Sequence, residues 1–281
     1  MKATIRLDKM LGNLGYGTRS GIKILVKQGA VEVNGKRVKD PGMQIHPLED
    51  IVKLDGETIR YRDTVYVMLH KPAGVISATE DTRERTVLDL IEDDDVTVLS
   101  PFPVGRLDKD TEGLLLLTND GKLAHELLSP KKHVPKTYRS LVAGVVGEED
   151  KTAFAKGVTL DDGYVTMPAQ LSILSRHPAG LTAGDAADDN GEYAQQLADA
   201  VKLSSAMGEA ALSWVELTIH EGKFHQVKRM FEAVGKKVLY LRRVSMGPLQ
   251  LDPDLPPGSW RELREEEVDI LRNYRKESNN E

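Results

Sequence analysis

Leu7, Met10, Leu11 and Leu14 follow the i, i+3, i+4, i+7 spacing of an amphipathic helix, and Gly15-Tyr16-Gly17 interrupts it. Thr18 is placed to cap a second short helix with Ile22, Leu25 and Val26 on its apolar side, and Gly29 to end it. The period then changes to two. Val31-Glu32-Val33 alternates, Asn34-Gly35 is a strong hairpin signal, Lys36-Arg37-Val38 returns as the partner, and residues 50–54 supply a further strand. Residues 57–63 read as a linker. A second block opens with a strand at 65–69, stopped by Lys71-Pro72-Ala73-Gly74. Strands are expected at 114–117, 138–146, 170–175 and 212–219, and helices at 85–92, 121–128, 149–156 and 225–234. No fixed-period repeat is visible. This order is α+β rather than a βαβ series.

The expected domains are a small ααβ unit at 1–60 and a larger one at 64–275. Residues 178–210 interrupt the second with Ala, Gly, Asp and Gln and six acids against Lys202. They read as an exposed, partly mobile insertion, with a helix near 192–203.

Composition removes several classes of chemistry. None of the 281 residues is cysteine, which excludes disulfides, thiol catalysis, iron–sulfur clusters and Cys-ligated zinc. No apolar run approaches the roughly 20 residues of a membrane span. The charged, amphipathic start is unlike a secretory leader, so a cytoplasmic location is expected. Net charge is −6, but the cations are clustered. Residues 1–60 are net +4 and residues 219–243 net +5, and local clusters rather than the total decide phosphate affinity.

Three segments could carry chemistry. In Gly105-Arg106-Leu107-Asp108-Lys109-Asp110-Thr111-Glu112-Gly113, a turn crowded with Arg and Asp runs into the apolar stretch Leu114–Leu117, which would lift a carboxylate from a rigid strand. By themselves these residues fit a salt-bridged turn equally well. In Glu221-Gly222-Lys223-Phe224-His225-Gln226-Val227-Lys228-Arg229-Met230-Phe231, a Gly turn feeds a basic helix start, and Lys228 or Arg229 could keep a nearby carboxylate ionised or simply bind phosphate. His225 has no second ligand at metal spacing and reads as a packing residue. In Lys136-Thr137-Tyr138-Arg139, Tyr138 could stack on a base or belong to the core. No dinucleotide fingerprint, Walker sequence or serine elbow is present.

The N-terminal unit, through Arg6-Leu7-Asp8-Lys9, Thr18-Arg19-Ser20 and Gly29 to Gly35, resembles the S4-like RNA-binding domain. Lys71-Pro72-x-Gly74, Gly105-Arg106-Leu107-Asp108 with Thr111-x-Gly113-Leu114, Lys136-Thr137-Tyr138 and Glu221 to Met230, in this order, resemble the RNA pseudouridine synthases of the RsuA/RluB/E/F branch. The match runs from about residue 5 to about residue 270, broken by the insertion. Within the branch, His225 to Phe231, Phe154 to Val158 and the tail Leu251-Asp252-x-Asp254-Leu255-x-Pro257-Gly258 are most similar to the small-subunit type.

The resemblance implies a mixed, largely antiparallel sheet with helices on its faces and a cleft across it. It implies Asp108 as the catalytic residue, Asp110 as a structural acid, Lys228 as the cation beside Asp108, and Arg106, Tyr138 and Arg229 as active-site support. It implies RNA contacts from Arg6, Lys9, Arg19, Lys23, Lys27, Lys36, Arg37, Lys71, Lys136 and Lys223. No cofactor and no metal are expected, because the isomerisation of uridine needs neither redox change nor energy input. The expected substrate is small-subunit (16S) ribosomal RNA, at the uridine numbered 516 there, or an assembly intermediate containing it, the alternatives being a large-subunit synthase of the RluB/E/F type or a non-catalytic S4-type RNA-binding factor. The protein is expected to act as a monomer away from membranes.

Overall fold

The computed structural model describes residues 4–178 apart from 48 and 60, residues 195–201 apart from 198, and residues 211–277. Extended β1 (Ile5–Arg6) leads at once into α1 (Leu7–Asn13), which has no side-chain cap at its start. α2 (Arg19–Gln28) begins where Thr18 Oγ1 accepts the Gly21 amide at 3.2 Å and ends at Gly29, φ 78°. β2 (Val31–Val33) and β3 (Lys36–Arg37) are joined through Asn34 and Gly35, both at positive φ (51° and 75°), as a type I′ turn demands. β4 (Gln44–Ile45) pairs with β1, and β5 (Val52–Leu54) with β2. Asp55-Gly56 repeats the turn at φ 50° and 87° and sends the chain back as β6 (Glu57–Ile59), giving a sheet of order β3-β2-β5-β6.

The expected linker at 57–63 therefore starts as a paired strand, and the Asp-Gly dipeptide was its signal. Leu7, Met10, Leu11, Ile22, Val31, Ile45 and Val52 are buried together between helices and sheet. At about 1.5–3 kcal/mol for each buried aliphatic side chain, this cluster outweighs the roughly 1 kcal/mol that a cap would add to α1.

The chain divides into two compact units, and the first also contains Ile91–Phe102 and Thr118–Asp120. There α3 (Asp94–Thr97) is capped by Asp93, which accepts the Val96 amide at 3.1 Å. The helix expected over 85–92 is reduced to a single 3₁₀ turn at Leu88–Leu90. Asp89 accepts the Thr86 amide at 2.7 Å and Thr86 Oγ1 the Asp89 amide at 3.3 Å, and such local side-chain bonds compete with helix propagation.

The larger sheet is built from β7 (Tyr66–Lys71), β8 (Phe102–Pro103), β9 (Glu112–Thr118), β10 (Lys136–Ala143), β11 (Gln170–His177), β12 (Leu212–Ile219), β13 (Lys237–Met246), β14 (Leu249–Gln250) and β15 (Trp260–Glu262). Its main order is β11-β12-β10-β13-β9-β7-β15. The β10–β12, β10–β13, β11–β12 and β7–β15 pairs are antiparallel and β13–β9 is parallel. The ten-residue β13 was not anticipated, because Arg242-Arg243 breaks its apolar alternation. β10 stops at Ala143 instead of running to 146, before Gly144 at φ +112°.

Helices α4 (Gly121–Leu128), α5 (Glu148–Lys156), α6 (Gln226–Ala233) and α7 (Glu265–Glu277) complete the larger unit. Phe154 of α5 meets Phe231 of α6 edge to face at 5.1 Å. Residues 195–197 and 199–201 are helical, with Leu197, Ala200 and Val201 buried beside Trp214 and Leu141. This part of the insertion belongs to the core, because its apolar side chains are buried in one cluster with Trp214. The expectation for 179–194 and 202–210 lies outside the described residues.

Candidate active site

Asp108 stands on the turn that leads into β9, and the turn is held from below. Ser77 Oγ donates to the Leu107 carbonyl at 2.9 Å and accepts the Leu107 amide at 3.0 Å. The Thr111 amide donates to the Asp108 carbonyl at 3.1 Å, and the Gly74 amide to that of Lys109 at 2.8 Å. Lys71 reaches in from β7 and donates to the carbonyls of Pro72, Lys109 and Thr111 at 3.0, 3.3 and 2.9 Å. Its side chain is 0% exposed.

Lys71 thus leaves the set of expected RNA contacts. A phosphate cannot reach an ammonium enclosed by three carbonyls, and the residue holds the Asp108 turn instead. Burial pushes its pKa down to about 8 against the pull of Asp110, Glu112 and Asp108. Gly113, at φ +104°, admits the closest approach of two strands, since a Cβ there would lie 2.2 Å from the Arg243 carbonyl oxygen. The glycine thereby brings β9 against β13.

The opposite wall is organised by the acid that opens the 221–231 motif, to which the sequence had given no role. Glu221 is buried and accepts from the Tyr164 hydroxyl at 2.6 Å, the Met167 amide at 2.9 Å and Gln226 Nε2 at 2.7 Å. Gln226 Oε1 in turn accepts the Lys223 amide at 2.8 Å. These bonds close the 221–226 loop, pass through His225 at φ 49°, and start α6 so that Lys228 faces the Asp108 turn. Lys228 Nζ lies 2.6 Å from Asp110 and 3.4 Å from Asp108, and His225 Nε2 is 3.7 Å from Asp108. Burial raises the Asp110 pKa, but the Lys228 hydrogen bond and charge outweigh it and hold that carboxyl below the usual range. Arg229 turns elsewhere. Its guanidinium pairs with Asp161 and, at 2.6 Å, with Asp162, so it supports the 161–164 turn rather than Asp108.

Between these walls lies a cleft of about 320 Å³, the low end for a small-molecule site. Asp108, Arg106, Lys136, Tyr138, Lys223 and His225 line it. Tyr138 is buried at the floor with 8% of its surface exposed. Lys136 donates to the Val134 carbonyl at 3.0 Å, and burial with Arg243 nearby lowers its pKa to about 8. Lys223 sits 4.5 Å above the Tyr164 ring. Arg243, which lies outside every motif, lines the same floor at 2% exposure.

The N-terminal cations lie on the surface of their own unit: Lys9, Arg19, Lys23, Lys27, Lys36 and Arg37 are exposed. Arg6, also exposed, makes a fork to Asp8 at 2.8 and 3.0 Å. No helix among the described residues is long and apolar enough to cross a membrane.

The family profile described as RNA pseudouridylate synthase matches residues 65–233, and that of the S4 domain matches residues 5–52. The chain belongs to the RNA pseudouridine synthases. Its fold is the α+β arrangement of that family, with the S4 domain in front. The sequence is 46% identical to the uncharacterized RNA pseudouridine synthase YtzG of Bacillus subtilis, over 95% of this chain and 98% of that one. It is 36% identical to ribosomal small subunit pseudouridine synthase A of Vibrio vulnificus (95% and 99% covered), and 35% identical to ribosomal large subunit pseudouridine synthase B of Bacillus subtilis (95% of each). A crystal structure of a pseudouridylate synthase superposes with a TM-score of 0.57 at 34% identity, covering 95% of this chain and 99% of that one.

Proposed function

We propose that this pseudouridine synthase converts a uridine of small-subunit ribosomal RNA, at the position numbered 516 in the 16S molecule, and that Asp108 is its reacting carboxylate. The observation that carries the assignment is the Lys228 ammonium 3.4 Å from Asp108, at the wall of a cleft floored by Tyr138. An ammonium at that distance orients the carboxylate and partners its charge. The C1′–N1 bond breaks as Asp108 attacks C1′ or removes the C2′ proton, the uracil turns, and C5 bonds to C1′ as the Asp108–C1′ bond breaks or as Asp108 returns the proton to C2′, while the C5 proton leaves and N1 is reprotonated. Atoms and electrons balance without a cofactor or metal. The base must first leave its stack at a cost of a few kcal/mol, part of which stacking on Tyr138 offsets.

Residues 64–275 carry this chemistry. Residues 1–60 supply phosphate contacts through Arg6, Lys9, Arg19, Lys23, Lys27, Lys36 and Arg37, with Arg106, Lys136 and Lys223 adding contacts at the cleft. The protein works as a cytoplasmic monomer on ribosomal RNA or a small-subunit assembly intermediate. The small-subunit target is supported by the His225-Gln226-Val227-Lys228-Arg229-Met230 form and by the 36% identity to a small-subunit synthase. The 35% identity to a large-subunit synthase favours 23S RNA as the second reading. Pseudouridine mapping of 16S and 23S transcripts after incubation with the purified protein tests both. A new pseudouridine confined to 16S RNA is expected, and one confined to 23S RNA overturns the small-subunit assignment.

A further inference from the structure

The cleft floor holds a cation that the structure leaves half-used. Arg243 donates through Nε to the Leu114 carbonyl at 2.8 Å, whereas its buried Nη2 has no hydrogen-bond partner among the described residues. An unsatisfied donor on a buried charged group is costly, and folded proteins keep few of them without a purpose. Its place is set by register. Arg243 on β13 is the direct cross-strand partner of Tyr138 on β10, so the two side chains emerge side by side on the cleft face. Lys136, two residues before Tyr138, shares that face and holds its ammonium in the same floor, with a carbonyl as its hydrogen-bond acceptor. A planar ring lying on Tyr138 therefore meets a guanidinium at its edge.

The reaction assigned above develops negative charge on the base. When C1′–N1 breaks, the bonding pair departs with the uracil and spreads over N1 and the carbonyl oxygens. Preorganised donors aimed at such an oxygen, in a site shielded from water, are the strongest single device for stabilising a transition state. We propose that Arg243 is a catalytic residue that donates a hydrogen bond from Nη2 to a carbonyl oxygen of the flipped uracil and stabilises the base as its bond to the ribose breaks. No proton moves in this contact. The proposal rests on the reading of Asp108 as the group acting at the ribose. The competing use of the same cation is phosphate binding, which the depth of Arg243 beside the Tyr138 ring disfavours.

Single-turnover cleavage of the glycosidic bond in RNA carrying uridine or 5-fluorouridine at the target separates these uses. The fluorine makes the departing base a weaker base, so less help is needed. Arg243→Gln is expected to slow the uridine substrate about 100-fold, with RNA affinity within a few-fold of the parent, and the loss is expected to shrink about tenfold or more on 5-fluorouridine. Equal losses on both substrates, or a loss confined to RNA affinity and its salt dependence, overturn the proposal.

Because Nε also holds Leu114, a second measurement uses the unaltered protein. The ¹⁵Nη resonance of Arg243, assigned through its proximity to the Tyr138 ring, should shift with RNA bearing the target uridine. It should stay in place with the same RNA made abasic at that nucleotide, since the phosphates are unchanged. A shift of equal size in both assigns the guanidinium to phosphate and overturns the proposal. Turnover of the uridine RNA by the parent protein is the separate control on the underlying reading.

Discussion

The N-terminal unit and the cleft both collect positive charge, and they hold it in opposite ways. On the first unit Lys9, Arg19, Lys23, Lys27, Lys36 and Arg37 stand exposed. Around the cleft several cations have fixed acceptors, three carbonyls for Lys71, the Val134 carbonyl for Lys136, Leu114 for Arg243, and Asp108 with Asp110 for Lys228, while Arg106 and Lys223 remain exposed at its rim. Exposed charges are screened within about 8 Å at physiological salt and tolerate many RNA geometries. Buried charges act at one point and in one direction. On the function proposed above, the same residue types serve affinity in one region and chemistry in the other.

The sharpest way to test the division is to remove the group the cleft is built around. Asp108→Asn keeps the shape of the side chain but can neither attack nor take a proton. Pseudouridine formation should fall by at least about 10⁴-fold while RNA binding and the far-ultraviolet circular dichroism stay as in the parent. Measurable turnover by the purified variant removes Asp108 from its role.

Lys228→Met takes away the ammonium shared by Asp108 and Asp110. About a 100-fold drop in the single-turnover rate is expected at pH 7, with the RNA dissociation constant nearly unchanged and partial recovery in Lys228→Arg. If the variant instead loses affinity at an unchanged rate, Lys228 belongs with the exposed phosphate contacts.

Tyr138 tests the floor. Tyr138→Phe keeps the ring and should cost only a few-fold. Tyr138→Ala loses stacking worth roughly 1–3 kcal/mol per base and should slow single turnover on the order of 10- to 100-fold. Similar rates for the two variants would exclude the ring as the platform for the base.

On the first unit, Arg19→Gln, Lys23→Gln and Lys27→Gln together should leave the rate at saturating RNA unchanged and weaken binding mainly at low salt. The slope of log affinity against log salt should become shallower by about 2 to 3, at roughly 0.7–0.9 for each phosphate that is no longer neutralised. An unchanged slope would detach α2 from RNA.

The smallest effect is expected at Lys136, whose charge the fold disfavours. Its folded pKa of about 8 lies below the ordinary 10.5. The charged form therefore costs stability fully below pH 8, and the cost fades as pH rises towards 10.5. Lys136→Met should melt a few degrees higher at pH 7, with the gain shrinking over that window, and should bind RNA a few-fold more weakly. A lower melting temperature at pH 7 would contradict the strain assigned to this site.

Elements governed by neighbours in the chain were readable from residue order. Thr18 and Gly29 bound α2, Asn34-Gly35 sets a hairpin, and the apolar run before Thr118 is a buried strand. The order of the motifs also identified the family and pointed to Asp108 and Lys228. Where the reading failed, a local pattern met a distant constraint. Thr86 and Asp89 turned an apolar stretch away from helix, and Arg242-Arg243 hid a central strand.

The sequence by itself determined the kinds of element, the absence of thiol chemistry, and the carboxylate and cation that the motifs set far apart in the chain. The tertiary structure alone decided which cations are solvent-facing and which are buried, since that depends on contacts between residues distant along the chain. It turned Lys71 inward beneath the Asp108 turn, paired Arg229 with Asp161 and Asp162, and gave Glu221 three donors. It also set Arg243 beside Tyr138, because the register between β10 and β13 and the bare Cα of Gly113 are settled only when three strands meet. Burial and register are properties of the assembled sheet, and no single segment of the chain contains them.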